Sequence, residues 1–344
     1  MSLPQRASAA RTAAGLAFFL GGYTAWVRRR NRRLLRPPIR GPDGLAYPSR
    51  RLVYSDGVEV TYLDTGSGSP IVMIPGADGM KETFRYQVPV LAGRHRVVVA
   101  DMRARHEPDA SFDRLPDDVA ELMDECGIGR AVVVGQSLGG AVALRFATRY
   151  PERVRGLVIS NSLTRITLEH LGLNRTGLIP LARFTTRYLP TAASRTMARL
   201  WSRAEVWIFD DSPGWANVVD YVLWTGPRTV PTTVSKGRVD LFREVDLRAE
   251  LRHVRAPTLV VRGDRDFYMP PRWWDDILEL VPSSRSAEVP EAGHCSHISM
   301  PGTFNQTVLE WIREIDATGV VGSPGRSPGQ SLARFPGQSR GEAP

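Results

Sequence analysis

Between Leu52 and Asp316 the chain alternates two kinds of hydrophobic pattern. Short runs of Val, Ile and Leu end in glycine or polar residues: "PIVMIPG" (Pro70 to Gly76), "HRVVVAD" (His95 to Asp101), "AVVVGQS" (Ala131 to Ser137), "VRGLVISNS" (Val154 to Ser162) and "PTLVVRGD" (Pro257 to Asp264). Successive side chains of a strand point to opposite faces, so an unbroken apolar run marks a strand buried on both faces of a parallel sheet. Between these runs lie segments with helical spacing. In "LPDDVAELMDECG", Leu115, Val119, Leu122 and Met123 fall on one helical face and Gly127 is placed to close the helix. Strand and helix in alternation predict an α/β fold with right-handed crossovers.

One interval breaks the alternation. From about Leu163 to Arg238 the sequence becomes irregular and aromatic, with Phe184, Tyr188, Trp201, Trp207, Phe209, Trp215, Tyr221 and Trp224. An insertion after a strand predicts a helical cap over the carboxyl edge of the sheet, where open α/β sheets bind ligands. Most of these aromatics are expected to form the cap's own core, and a minority to line a pocket.

Composition changes the picture mainly at the ends. The formal charge is +9, but residues 1–51 alone carry +10 and residues 317–344 carry +2, which leaves the body at −3. A basic arm on a mildly acidic body does not point to nucleic acid, because the body has no basic stripe interleaved with aromatics. The uncharged stretch "TAAGLAFFLGGYTAWV" (Thr12 to Val27) precedes "RRRNRR" (Arg28 to Arg33), the reverse of a cleaved secretory signal. This order predicts a signal anchor with the main body on the cytoplasmic side. A segment lying on the surface, with Tyr23 and Trp26 at the interface and the arginines on anionic lipid, is the near alternative, and a soluble helix with a solvated basic end is the third. The organisation is then an arm over residues 1–44, a body over 45–316, and a Pro, Gly and Ser-rich tail over 317–344 that is expected to be disordered. Two cysteines, Cys126 and Cys295, are too few for a disulfide framework and lack metal-ligand spacing.

The candidate chemistry centres on "VVVGQSLGGA". Gly135, Ser137 and Gly139 form G-x-S-x-G between a strand run and a helical run, the context in which a sharp turn thrusts a serine hydroxyl outward. The free N–H of Leu138 at the helix start suits a developing oxyanion. A serine needs a base, and the base an orienting acid. "VVRGDRDFYMP" supplies Asp264 and Asp266 after one strand, and "EVPEAGHCSHI" supplies His294 and His297 after another, all on one edge of the sheet.

With these three motifs in place the chain resembles the α/β-hydrolase fold family over nearly the whole body, as a mostly parallel sheet flanked by helices with a cap insertion. The resemblance implies Ser137 as nucleophile, His294 rather than His297 as base, and Asp266 rather than Asp264 as acid. It also implies backbone N–H groups of Ala77 and Leu138 as the oxyanion hole, and no metal or organic cofactor. Two departures stand out. Pro75 replaces the family's frequent His before Gly76, and the frequent Gly-containing loop after the next strand appears as "DMRARHEP", without glycine. The implied activity is hydrolysis of a small to medium apolar carboxylic ester through an acyl-enzyme. Carbon–carbon, amide and thioester hydrolysis use the same apparatus. A fainter similarity, in "VISNSLTR" and "IPGADGMKETFRYQV", is to maspardin-like members that use the fold to bind partners.

Overall fold

The computed structural model describes residues 37–318 apart from 105, 166–177, 207, 225–231, 244 and 270, together with residues 18, 21–23, 25–27 and 29. Most of the apolar 12–27 segment, Trp207 and the tail beyond residue 318 lie outside the described residues. Among the described residues no helix is long and apolar enough to cross a membrane.

The five apolar runs all form strands. With three others they build an eight-stranded sheet among the described residues: β1 (Ser49–Val53), β2 (Glu59–Thr65), β3 (Pro70–Ile74), β4 (Arg96–Ala100), β5 (Ala131–Gln136), β6 (Val154–Ser160), β7 (Thr258–Gly263) and β8 (Ser284–Val289). Their order is β1-β2-β4-β3-β5-β6-β7-β8, antiparallel from β1 to β4 through β2 and parallel elsewhere. The β1–β2 hairpin is absent from the strands that the apolar runs predict, because its pattern is half-exposed rather than continuously apolar.

Period-two alternation divides each central strand between two cores. Ile71, Met73, Val97, Val99, Val132 and Val134 face α8 (Pro301–Thr318), which contributes Phe304, Val308, Trp311 and Ile312. Val72, Ile74, Val98 and Val133 face the other layer, formed by α1 (Arg114–Glu125), α2 (Leu138–Arg149) and α7 (Pro271–Leu280). The four apolar residues assigned to one face of α1 are all buried there, and Gly127, at φ 62°, follows the helix as its left-handed cap.

The interval after β6 holds α3 (Ile179–Tyr188), α4 (Thr191–Arg203), α5 (Trp215–Trp224) and α6 (Thr232–Leu241). Its two ends are joined at the sheet by an antiparallel bridge between Arg165 and Asp246 and by Leu247 N–H donating to Thr164 O at 2.9 Å. Trp201, Phe209 and Tyr221 fill a core of its own with Val206, Val218 and Val222, whereas Phe184 is exposed.

The glycine-poor "DMRARHEP" loop is held by charge. Arg103 is buried; its guanidinium donates two bonds of 2.6 Å to Asp118 on α1, one of 2.6 Å to Asp56 and one of 2.7 Å to Pro108 O. Desolvation pushes the Asp118 carboxyl up to about 6 even beside this cation. A buried pair loses more when halved than it gains when whole, since the survivor remains an uncompensated charge. Arg103→Met is therefore expected to destabilise the fold by about 3–5 kcal/mol, read as a lowered urea midpoint at unchanged slope.

Candidate active site

The elbow is set by close backbone approach. Ser137 follows β5 and caps α2 at φ 53°, ψ −122°, a strained conformation for a residue with a Cβ. A Cβ on Gly135 would stand 2.3 Å from Gly139 O, and one on Gly139 2.3 Å from Ile74 O, so the turn folds only with glycine at both positions. Gly76, after β3, sits beside this turn: its Cβ position would be 3.4 Å from Ser137 Cβ. The N–H of Leu138, first residue of α2, is one of the donors a helix start leaves without a partner inside the helix.

The structure brings Ser137, His294 and Asp266 together. His294 Nε2 lies 3.2 Å from Ser137 Oγ, and its Nδ1 lies 3.1 Å from Asp266 Oδ2. Asp266 Oδ1 accepts the N–H groups of Tyr268 and Met269 at 3.0 and 3.1 Å, and Oδ2 also accepts Asn161 Nδ2 at 2.8 Å. This carboxyl thus has donors on both oxygens and a fixed orientation. His294 is 4% exposed, beneath the Tyr268 ring at 4.8 Å. Asp264 is exposed on the preceding turn and has no such contact with His294. A hydroxyl, an imidazole and a carboxylate in this order can pass a proton from Oγ to Nε2 as the oxygen attacks an electrophile.

His297 is elsewhere. It is fully buried, with Nε2 3.1 Å from Thr83 Oγ1 and its ring between Phe84 and Phe304. Burial, and after it the neighbouring His294, push its pKa down to about 3. Cys295 is a buried packing residue of the cap core, its thiol pushed well up by burial, and Cys126 is buried with its thiol pushed up to about 11; neither forms a disulfide. Among the described residues no group of His, Cys, Asp and Glu side chains converges to hold a metal ion.

Three contributions go beyond what the sequence motifs indicate. Asn161, at φ 44° just after β6, orients Asp266 and accepts Ser296 Oγ at 2.6 Å; a polar residue ending a strand beside the elbow is the available signal. On α5, Tyr221 donates to Asp78 Oδ2. On α6, the buried Arg238 donates to the carbonyls of Ala77 (3.2 Å), Asp78 (2.7 Å), Met102 (2.7 Å) and Arg103 (2.8 Å). Two cap helices therefore clamp the loop that carries Ala77, and Arg238 ties it to the rebuilt loop after β4. Nothing in the spacing of Arg238 could have shown this.

Residues 69–301 match the family described as alpha/beta hydrolase fold. The chain belongs to the α/β hydrolase fold family. This α/β hydrolase is 27% identical, over 73% of its length and 94% of the relative's, to an Azorhizobium caulinodans protein named as a carbamate hydrolase. It is equally identical to the pimeloyl-[acyl-carrier protein] methyl ester esterase of Nitrosomonas europaea, over 70% and 94% of the two chains. Among solved structures a bacterial membrane phospholipase A superposes with a TM-score of 0.61 at 20% identity, covering 91% of this chain and 98% of that one. The family and these relatives make the protein a hydrolase.

Arg238→Met should loosen both clamped loops, raising amide hydrogen exchange in residues 76–79 and 102–104 by about ten- to a hundredfold while the central strands keep their protection. His297 should impose a pH dependence on stability. Its ring stays neutral when folded, whereas the unfolded chain binds a proton near pH 6.5. Its contribution is thus complete above that pH and is lost as pH falls toward 3. Urea unfolding at pH 7 and pH 5 should show wild type losing about 2 kcal/mol more than His297→Gln between the two conditions, and equal losses would contradict the assignment.

Proposed function

We propose that the protein is a serine hydrolase that cleaves a small to medium apolar carboxylic ester. The observation that carries this reading is the hydrogen-bonded chain from Asp266 through His294 to Ser137, at a strained strand-to-helix turn whose helix start faces the serine. In the proposed reaction Ser137 Oγ attacks the ester carbonyl and His294 Nε2 takes its proton. Asp266 holds the resulting imidazolium, and the N–H groups of Leu138 and Ala77 receive the oxyanion. His294 returns the proton to the departing alcohol, leaving an acyl group on Ser137. Water, deprotonated by His294, attacks that acyl group; the acid departs and Ser137 regains its proton.

The apolar cap core, which reaches Cys295 and Ile298 beside His294, supports an apolar acyl or alcohol group. The ester reading is also consistent with the esterase name of one relative. For the arm, the reading is association with a membrane, with the body on the cytoplasmic side. Arginines directly after an apolar segment support it. The surface-lying form is favoured by the Tyr23 hydroxyl, which donates to Tyr188 O on the cap at 3.0 Å and so holds the arm at Tyr23 against the cap.

A fluorophosphonate should label Ser137 in wild type and fail to do so in His294→Ala, as located by peptide mass analysis. Ser137→Ala should lower ester turnover by several orders of magnitude while the fold is retained, leaving about 10³–10⁴-fold over water. Asp266→Asn should slow labelling far more than Asp264→Asn. A folded wild type whose Ser137 stays unlabelled would remove the hydrolytic assignment from this site.

A further inference from the structure

The outer face of the α3–α4 hairpin is unusually apolar for a surface. Leu178, Leu181 and Phe184 recur every three residues, and all three, with Leu200 on α4, are between 41% and 49% exposed. The opposite side of the hairpin is spent inward, on Ala182, Thr185 and Thr186 of α3 and Ser194, Ala198 and Trp201 of α4. Residues 179–203 contain five arginines and no acidic residue. Arg195 and Arg199 are paired with Asp220 and Asp211, on neighbouring segments outside the hairpin.

This face continues into the N-terminal arm. The Phe184 ring lies 5.0 Å from that of Tyr188, whose carbonyl accepts the Tyr23 hydroxyl, and the Tyr23 ring lies 6.0 Å from that of Trp26. Trp26 and Phe18 are 57% and 86% exposed, and the arginine cluster Arg28 to Arg33 follows at once. Apolar and aromatic side chains flanked by arginines, on helices without acidic residues, have the composition of a surface that sits at the headgroup level of an anionic bilayer. A protein partner or a second copy of this chain would need acidic groups to meet the same arginines. The body, Leu52 to Asp316, has a net charge of only −3, and surface carboxylates such as Asp124, Asp211 and Glu288 are already paired with arginines of the same chain.

We infer that the α3–α4 face and the part of the N-terminal arm that carries Phe18, Tyr23 and Trp26 together form a docking surface for an anionic membrane. The inference deepens the membrane reading of the arm given above, and it does not depend on the serine chemistry. Docking here would place the bilayer against the helices whose inner side forms the cap core, the layer that also contains Cys295 next to His294. A membrane-borne acyl ester would then reach the cap directly from the lipid.

The test is co-sedimentation of the full chain with vesicles of phosphatidylcholine alone and of phosphatidylcholine with about one-third phosphatidylglycerol. Wild type should bind the mixed vesicles at least tenfold more tightly than the neutral ones, and the difference should shrink at about 0.5 M salt as screening shortens the range of the arginines' field. The double variant Leu181→Glu, Phe184→Glu should bind the mixed vesicles at least tenfold more weakly, while fluorophosphonate labelling of Ser137, tested on the same sample, stays at the wild-type rate. Wild-type binding unchanged by the double variant would overturn the role of the cap face. Absence of wild-type binding, or concentration-dependent self-association abolished by the same substitutions, would overturn the inference in favour of a second copy or no partner. Failure of labelling in wild type would bear on the proposed ester chemistry and leave the vesicle result standing.

Discussion

The most demanding contact in this molecule is backbone against backbone. At the end of β5 the chain must reverse into α2 while running beside β3, and there is no room between Gly135, Gly139 and the carbonyl of Ile74 for a single extra carbon. The start of α2 folding back onto β5 dictates glycine at 135, the end of β3 dictates glycine at 139, and the turn between them holds Ser137 at positive φ. The strain is held because everything around it is already fixed: β5 is buried along its whole length, and the first two turns of α2 are packed into the core. The same closeness brings the Gly76–Ala77 loop to the serine, so the geometry of any oxyanion site here follows from how two neighbouring strands end.

Around that point the structure uses charge where the more usual loop sequence uses glycine. Arg103 anchors the loop after β4 from beneath, through Asp118, Asp56 and a carbonyl, and Arg238 reaches down from the cap to four carbonyls of the two loops. A guanidinium offers five N–H groups in a rigid plane, and this is the geometry needed to hold several carbonyls at once. The result is that cap and sheet are not independent layers. α5 and α6 grip the loop carrying Ala77, while the cap core closes on the loop carrying His294. The cap thereby touches the loops on both sides of the serine.

The two histidines near the carboxyl end of the sheet show how environment divides roles between like residues three positions apart. His294 has Ser137 on one nitrogen and Asp266 on the other, close beneath an aromatic ring. His297, on the following one-turn helix, is enclosed by Phe84, Phe304 and a threonine hydroxyl, and burial there suppresses its protonated form. In the proposed reaction the first exchanges protons, whereas the second stays neutral.

Much of this is legible in the amino-acid sequence. The unbroken apolar runs identify the parallel strands because burial on both faces removes the polar half of the pattern. The glycines around Ser137, and the order of Ser137, Asp266 and His294 at strand ends, mark the candidate site because close approach and sharp turns admit few residue types. The β1–β2 hairpin escapes the same reading, since strands exposed on one side blur the pattern that betrays a strand. Tertiary structure alone decided that Asn161 steadies Asp266, that Tyr221 and Arg238 hold the Ala77 loop, and that α3 turns leucines and a phenylalanine outward beside Tyr23. These are contacts between residues far apart in the chain, made by side chains whose types suit many surroundings. Local pattern encodes what a residue's own neighbours require of it, and it carries no record of which distant carbonyl a guanidinium will meet once the layers have packed.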